Sequence, residues 1–246
     1  MNRALALLAS VKDAHEARLA LGAGARIIDA KDPAAGALGA LPAATVRDIV
    51  TAVAGRAPVS ATAGDHPDMA AQTIEPAIAR LAACGVDFVK LGLFPAPALQ
   101  ACLAALAPLA RAHALVGVFF ADRWTDYEAL GGVPALVGRL AAAGFRGALL
   151  DTADKHSGSL LAHGDAARLG AFIAAARAAG LRCGLAGSLR AQDVPRLLPL
   201  APDLLGFRGA LCAGHARGGA LDPARVRGLV RMLATAGAEA PAGSVV

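Results

Sequence analysis

Residues 25–64 read ARIIDAKDPAAGALGALPAATVRDIVTAVAGRAPVSATAG and contain one complete structural unit. An apolar run over 25–31 leads through a turn rich in Gly and Pro into a helix-like stretch over 43–55, and the next apolar run begins at Pro58. Short and continuous apolar runs are typical of parallel strands that are buried on both faces. The segment therefore predicts a strand, a covering helix and a second parallel strand.

The same unit recurs along the chain, and eight apolar runs can be counted. Eight units in 246 residues fit a (β/α)8 TIM barrel, with a single catalytic domain over 1–237 and a disordered tail over 238–246. A doubly wound open sheet is the alternative, but the sequence has neither a GxGxxG turn nor a Walker A loop to support it. The runs are ALALLAS (4–10), ARIIDAK (25–31), PVSATAG (58–64), VDFVKLGL (86–93), ALVGVFFAD (114–122), GALLDTA (147–153), RCGLAGS (182–188) and LLGFRGALC (204–212).

Composition narrows the function classes. The net charge of +5 is modest, the basic residues are scattered and aromatic residues are few, so we expect no nucleic-acid surface. A basic protein of this kind suits small anionic substrates. The four cysteines are far apart and the histidines show no metal-ligand spacing, so we expect reduced thiols, a cytoplasmic location and no metal site.

One uncharged run, residues 91–110, is long enough to cross a membrane. It contains Pro95, Pro97 and Pro108, which make a single continuous helix improbable. We interpret it as a strand end, a turn and a buried helix, and we expect no membrane association.

Lysine is rare in this chain, and its positions are informative. Of 24 basic residues, only Lys12, Lys31, Lys90 and Lys155 are lysines. A GC-rich coding background alone could favour arginine, but a neutral lysine can attack a carbonyl and an arginine cannot. Lowering the pKa of a lysine by about three units costs ~4 kcal/mol, which burial and neighbouring cations can supply. We take Lys12, beside Asp13 and Glu16, to be a solvated surface charge.

The other three lysines follow predicted strands, where catalytic groups of a barrel gather. Asp29 and Lys31 end the second run on one face, because side chains alternate along a strand. Lys90 lies in the fourth run, and Asp151 and Lys155 follow the sixth. These five residues are the predicted catalytic group. The negative charges of the two aspartates would oppose a lowered lysine pKa, and we resolve this conflict by assigning the aspartates to proton transfer. Capping, ion pairing and solvated loop charges are the structural alternatives.

Substrate binding is predicted at other strand ends. Ser60 and Thr62 share a face of the third run, which continues into Gly64 and Asp65, and the fifth run ends at Asp122. The loops after the last two strands of a barrel often hold phosphate through backbone N–H groups. The alternative is two tight turns that require glycine. The predicted substrate and phosphate residues are Ser60, Thr62, Gly187, Ser188, Arg208 and Gly209.

Six blocks of the sequence resemble the signature blocks of the (5-formylfuran-3-yl)methyl phosphate synthase family, in the family's order: DAKDPAAGALGA, PVSATAGD, VDFVKLGL, LLDTADK, LAGSL and GFRGALC. The resemblance implies a TIM barrel that condenses two molecules of glyceraldehyde 3-phosphate in methanofuran biosynthesis, without a metal or organic cofactor. It implies that Lys31 forms a Schiff base and that Asp29, Lys90, Asp151 and Lys155 assist it.

Two other functions stay open. One is a class I aldolase acting on another phosphorylated aldehyde, and the other is a barrel that only binds a phosphorylated ligand. We also expect a homo-oligomer, since faces of the Ala-rich helices could form subunit interfaces.

Overall fold

The computed structural model describes residues 5–239 and forms a closed barrel of eight parallel strands in chain order. The first strand pairs with the second and also with the eighth, so the sheet has no open edge. The predicted TIM barrel is confirmed, and the doubly wound alternative is wrong. The strands are β1 (Ala6–Val11), β2 (Ile27–Ala30), β3 (Val59–Thr62), β4 (Phe88–Gly92), β5 (Leu115–Phe120), β6 (Gly147–Asp151), β7 (Arg182–Leu185) and β8 (Leu204–Phe207).

Helices cover the outside of the barrel. Asp13 and Asp165 cap two of them, each accepting a hydrogen bond from a backbone N–H in the first turn. The connection from β7 to β8 differs from the repeated unit: its only α-helix has four residues, and it contains Pro195 and Pro199. The helices are α1 (Ala14–Gly22), α2 (Ala43–Val53), α3 (Ala71–Ala82), α4 (Leu99–Ala112), α5 (Gly132–Ala142), α6 (Leu160–His163), α7 (Ala166–Ala178), α8 (Val194–Leu197) and α9 (Pro223–Glu239).

The uncharged run over 91–110 divides as predicted. Its first residues complete β4, a turn with two prolines follows, and the rest begins α4. Among residues 5–239, the structure contains no helix with the length and apolar character needed to cross a membrane. Helix α9 continues to Glu239 and so includes the first residues of the predicted tail over 238–246. The rest of that tail lies outside the described residues.

Apolar side chains divide into two clusters that explain where polar groups can lie. The larger cluster packs the outer face of the strands against the helices. The smaller one includes Leu8, Val116, Val118, Leu149 and Leu204 and fills the barrel interior. Along β1, β2, β4 and β6, the inward positions change from apolar to polar toward the carboxyl end of each strand. The interior therefore has an apolar floor beneath a polar layer.

Candidate active site

A cavity of about 270 Å³ opens at the carboxyl ends of the strands. This is the size of pocket that holds a small metabolite. Four of the five predicted catalytic residues contribute to its wall: Lys31, Lys90, Asp151 and Lys155. Alternation along β4 and β6 turns Lys90 and Asp151 inward, and Lys31 continues the inward face of β2. Lys155 reaches the same cavity from the loop after β6.

Asp29 lies below the cavity and is fully buried. Its carboxylate accepts hydrogen bonds from the hydroxyl of Ser10 at 3.0 Å and that of Ser60 at 2.6 Å. Lys90 donates a third from its Nζ at 2.6 Å. A buried carboxylate is costly unless it is paired and hydrogen-bonded, and these three donors meet that need. Asp29 therefore fixes the position of the Lys90 amine at the cavity wall.

Asp151 forms the second cluster, at the end of β6. Its Oδ1 accepts hydrogen bonds from Lys155 Nζ at 2.6 Å and from the Thr152 N–H at 2.8 Å, while Oδ2 lies 3.7 Å from Lys31 Nζ. Lys155 also donates to the Thr152 carbonyl. Burial favours a raised pKa for Asp151, but the two lysines and the N–H outweigh it and hold the pKa below its usual range. This carboxylate is thus a charged bridge between two amines.

The Lys31 amine is strongly perturbed by its surroundings. Burial lowers the pKa of Lys31 from 10.5 to about 7, with Asp151 opposing the shift and Lys155 and Lys90 reinforcing it. At pH 7 about half of this amine is then neutral, whereas an ordinary lysine is neutral in about one molecule in a few thousand. The side chain ends in the cavity wall, so the neutral amine can reach a ligand.

Two carboxylates hold the loops that carry these lysines. Asp65 accepts hydrogen bonds from the N–H groups of Ala37 and Leu38 in the loop after β2, at 2.8 and 3.0 Å. Asp122 accepts two at 2.8 Å from the N–H groups of Ala153 and Asp154, the residues directly before Lys155. Each loop is therefore fixed from a neighbouring strand end. The sequence placed both aspartates at strand ends but gave no indication of these bonds.

Glycines shape the wall formed by the loops after β7 and β8. Gly187 has a φ of 107°, and a Cβ there would lie 3.1 Å from the backbone nitrogen of Thr152. The backbone N–H groups of Gly187, Ser188, Gly209 and Ala210 find no protein acceptor among the described residues. All four residues line the cavity. Such N–H groups can bind an anion.

The structure places three other predicted binding residues in supporting positions. The Ser60 hydroxyl is engaged by Asp29, and the Thr62 hydroxyl donates to the Gly39 carbonyl at 2.7 Å. Neither contributes to the cavity wall. Arg208 does line the cavity, but its guanidinium is engaged with Glu16 and with backbone carbonyls. Sequence reasoning did not single out Arg217, which also lines the cavity and lies in a Gly-rich turn with no distinguishing pattern.

All four cysteines are buried and unpaired. Within residues 5–239, no group of three or more His, Cys, Asp or Glu side chains is arranged to hold a metal ion.

Two relatives among known proteins are similar to this chain over most of its length. The chain is 50% identical over 220 residues to a putative (5-formylfuran-3-yl)methyl phosphate synthase of Methylorubrum extorquens, covering 89% of this chain and 88% of the relative. It is 36% identical over 234 residues to the (5-formylfuran-3-yl)methyl phosphate synthase of Methanopyrus kandleri, covering 93% and 98%.

A solved structure supports the fold alone. The phosphoribosyl anthranilate isomerase of Thermotoga maritima superimposes with a TM-score of 0.65 at 13% identity, covering 94% of this chain and 98% of the isomerase.

The sequence model of 4-HFC-P synthase matches residues 7–230. With that match over most of its length and relatives of 50% and 36% identity, the chain belongs to the (5-formylfuran-3-yl)methyl phosphate synthase family.

Proposed function

We propose that this protein condenses two molecules of glyceraldehyde 3-phosphate into (5-formylfuran-3-yl)methyl phosphate, as a lyase of methanofuran biosynthesis. The observation that carries the proposal is the Lys31 amine, which lies in a cavity wall with a pKa lowered to about 7. Family membership supports the choice of product.

Lys31 is the nucleophile. Its neutral amine attacks the carbonyl carbon of a triose phosphate, and loss of water gives an iminium that withdraws electrons from the neighbouring carbon. One triose acts as a dihydroxyacetone phosphate equivalent, so an isomerisation precedes carbon–carbon bond formation. The resulting enamine adds to the aldehyde of the second triose. Elimination of one phosphate, cyclisation and a net loss of two waters then give the furan, whose aromaticity favours the product, and cleavage of the carbon–nitrogen bond returns the free amine of Lys31.

Asp151 and Lys155 move protons. The Asp151 carboxylate lies 3.7 Å from the Lys31 amine and 2.6 Å from that of Lys155, so it is placed between nucleophile and proton donor. A positioned carboxylate or amine contributes typically 10²–10⁴-fold to such steps.

Lys90 presents its amine to the cavity while Asp29 holds it from below at 2.6 Å. We assign to Lys90 a contact with substrate oxygen, either of phosphate or of the reacting carbonyl. Asp29 lies outside the cavity wall and acts through Lys90, so it is a positioning residue. The hydroxyls of Ser10 and Ser60 keep its carboxylate oriented.

A class I aldolase would use the same Schiff base, and product analysis separates the two functions. Incubation with glyceraldehyde 3-phosphate, followed by mass spectrometry and a phosphate assay, should give a furan chromophore and released phosphate. A reversible aldol adduct without phosphate release would indicate the aldolase. The absence of turnover would leave a ligand-binding barrel.

Borohydride trapping tests the nucleophile. Reduction during turnover should fix a triose-phosphate adduct that peptide mapping places on Lys31, and Lys31→Arg should reduce turnover to background, because a guanidinium does not form the iminium. Lys12→Arg, a change at the surface lysine that pairs with Glu16, is the matched control and should keep activity. An adduct on Lys90 or Lys155 would overturn the assignment, and normal turnover without any adduct would overturn covalent catalysis.

A further inference from the structure

Two arginines of the segment after β8 line the cavity, and they differ in the hydrogen-bonding capacity they have left. A guanidinium carries five N–H donors. In Arg208, Nε donates to the Arg217 carbonyl at 2.7 Å, Nη1 to the Ser10 carbonyl and to Glu16, and Nη2 to Glu16 and to the Gly219 carbonyl. All five donors are therefore used within the protein. Arg208 joins β1 and α1 to the segment after β8 and has no donor left for a ligand.

Arg217 is nearly unused by comparison. Its guanidinium makes one long hydrogen bond, from Nη2 to the Gly36 carbonyl at 3.4 Å. Among residues 5–239, no carboxylate forms an ion pair with it. Burial lowers the pKa of Arg217, while nearby carboxylates, Asp151 first among them, oppose the shift without forming an ion pair with the guanidinium. Such a cation in a cavity wall is suited to an anionic ligand.

The backbone of Arg217 is packed directly against the loop with unused N–H groups. A Cβ on Gly209 would lie 3.8 Å from the Arg217 nitrogen and 3.9 Å from its Cβ. The bond from Arg208 to the Arg217 carbonyl fixes this segment. Arg217 and the N–H groups of Gly209 and Ala210 thus belong to one wall of the cavity.

We propose that Arg217 binds the phosphate group of the substrate, together with the backbone N–H groups of Gly209 and Ala210. The nature of the substrate, a phosphorylated aldehyde, rests on the proposed function, but the anion site itself does not. Arg217 then selects phosphorylated over unphosphorylated aldehydes, since a guanidinium can bind phosphate through two parallel hydrogen bonds. Arg217 therefore has the phosphate-binding role that the sequence predicted for Arg208, and Arg208 holds Arg217 in place.

The first test uses inorganic phosphate and does not depend on turnover. Phosphate should raise the melting temperature of the wild type and of Arg168→Gln, which removes an exposed arginine on α7, but not that of Arg217→Gln. Arg217→Lys should show an intermediate effect, because an ammonium keeps the charge without the planar pair of donors. Equal stabilisation of all variants, or none of the wild type, would overturn the proposal. Arg190 also lines the cavity, from the loop after β7, so a loss confined to Arg190→Gln would place the site there and overturn the proposal.

The second test uses activity. Arg217→Gln should raise KM for glyceraldehyde 3-phosphate by about 10- to 100-fold, as expected for a lost hydrogen bond to a charged group, whereas Arg168→Gln should keep the KM of the wild type. An unchanged KM with normal wild-type turnover would refute the role of Arg217 alone. Wild-type protein that binds phosphate through Arg217 but forms no furan would refute the proposed function alone.

Discussion

Replacing Lys31 with methionine should stabilise the protein near neutral pH and change its stability little in strongly alkaline solution. Methionine has a similar length and no charge, so it removes the cost of holding an ammonium in this site. That cost follows from the lowered pKa. The shift from 10.5 to about 7 corresponds to about 5 kcal/mol of destabilisation of the charged form.

The pH window follows from proton binding in the two states. Between pH 7 and 10.5 the unfolded chain keeps the proton on Lys31 and the folded protein has lost it. Stability rises with pH wherever the unfolded state binds more protons, so the wild type gains stability across this window. Below about pH 7 both states are protonated and the full cost is present. The advantage of Lys31→Met is therefore greatest below about pH 7 and disappears toward about pH 10.5, although losing the contact with Asp151 reduces its size.

Urea unfolding of wild type and variant at several pH values measures this difference. Leu149→Met is the matched control, since it changes a buried side chain of the same cavity without a titrating group. Its effect should be small and the same at every pH. A difference between wild type and Lys31→Met that stays constant from about pH 6.5 to about pH 10.5 would refute the lowered pKa, and with it the electrostatic basis for Lys31 as nucleophile.

Three further changes test the surroundings of Lys31. Asp151→Asn should lower turnover by about 10²–10⁴-fold with the fold intact. It should also shift the acid limb of the pH–rate profile to lower pH, because Asp151 raises the pKa of Lys31. Near-normal activity would make Asp151 a structural cap. Asp122→Asn replaces one of the two carboxylate oxygens that accept hydrogen bonds from the loop before Lys155 by an N–H donor. It should lower kcat and speed hydrogen exchange of that loop, whereas Asp126→Asn at an exposed position should do neither. Unchanged exchange would contradict the loop-holding role. Gly187→Ala should lower the free energy of unfolding by more than Gly180→Ala, because both have positive φ but only Gly187 would bring a Cβ against Thr152; equal losses would leave only backbone strain.

The sequence predicted the barrel because its information is periodic. Continuous apolar runs such as ALVGVFFAD define buried parallel strands, and side-chain alternation fixes which residues face inward. Asp29, Lys90 and Asp151 could therefore be placed at one end of the interior without coordinates. The connection between β7 and β8 has an α-helix of only four residues and follows no such period.

The binding residues were harder to predict because their use depends on which hydrogen bonds are already made. Thr62 shares a face with Ser60, as predicted, but its hydroxyl is engaged by the Gly39 carbonyl. Arg208 and Arg217 are both arginines of one glycine-rich segment, and only the set of contacts shows that the first has no donor left. Hydrogen-bond partners distant in sequence leave no local pattern from which to read them.

The arrangement of charges explains why Lys31, rather than Lys90 or Lys155, is suited to lose its proton. The family resemblance already implied Lys31, but residue types and spacing alone did not separate the three lysines and raised a difficulty, since two aspartates beside a lysine should keep it charged. In the structure, each carboxylate has a closer partner: Asp29 holds Lys90 at 2.6 Å, and Asp151 holds Lys155 at 2.6 Å, leaving Lys31 at 3.7 Å. The three amines and two carboxylates carry one excess positive charge if every group is ionised. Releasing the proton of Lys31 removes that excess without breaking either close pair, so the aspartates that seemed to oppose a neutral lysine instead determine which lysine becomes neutral.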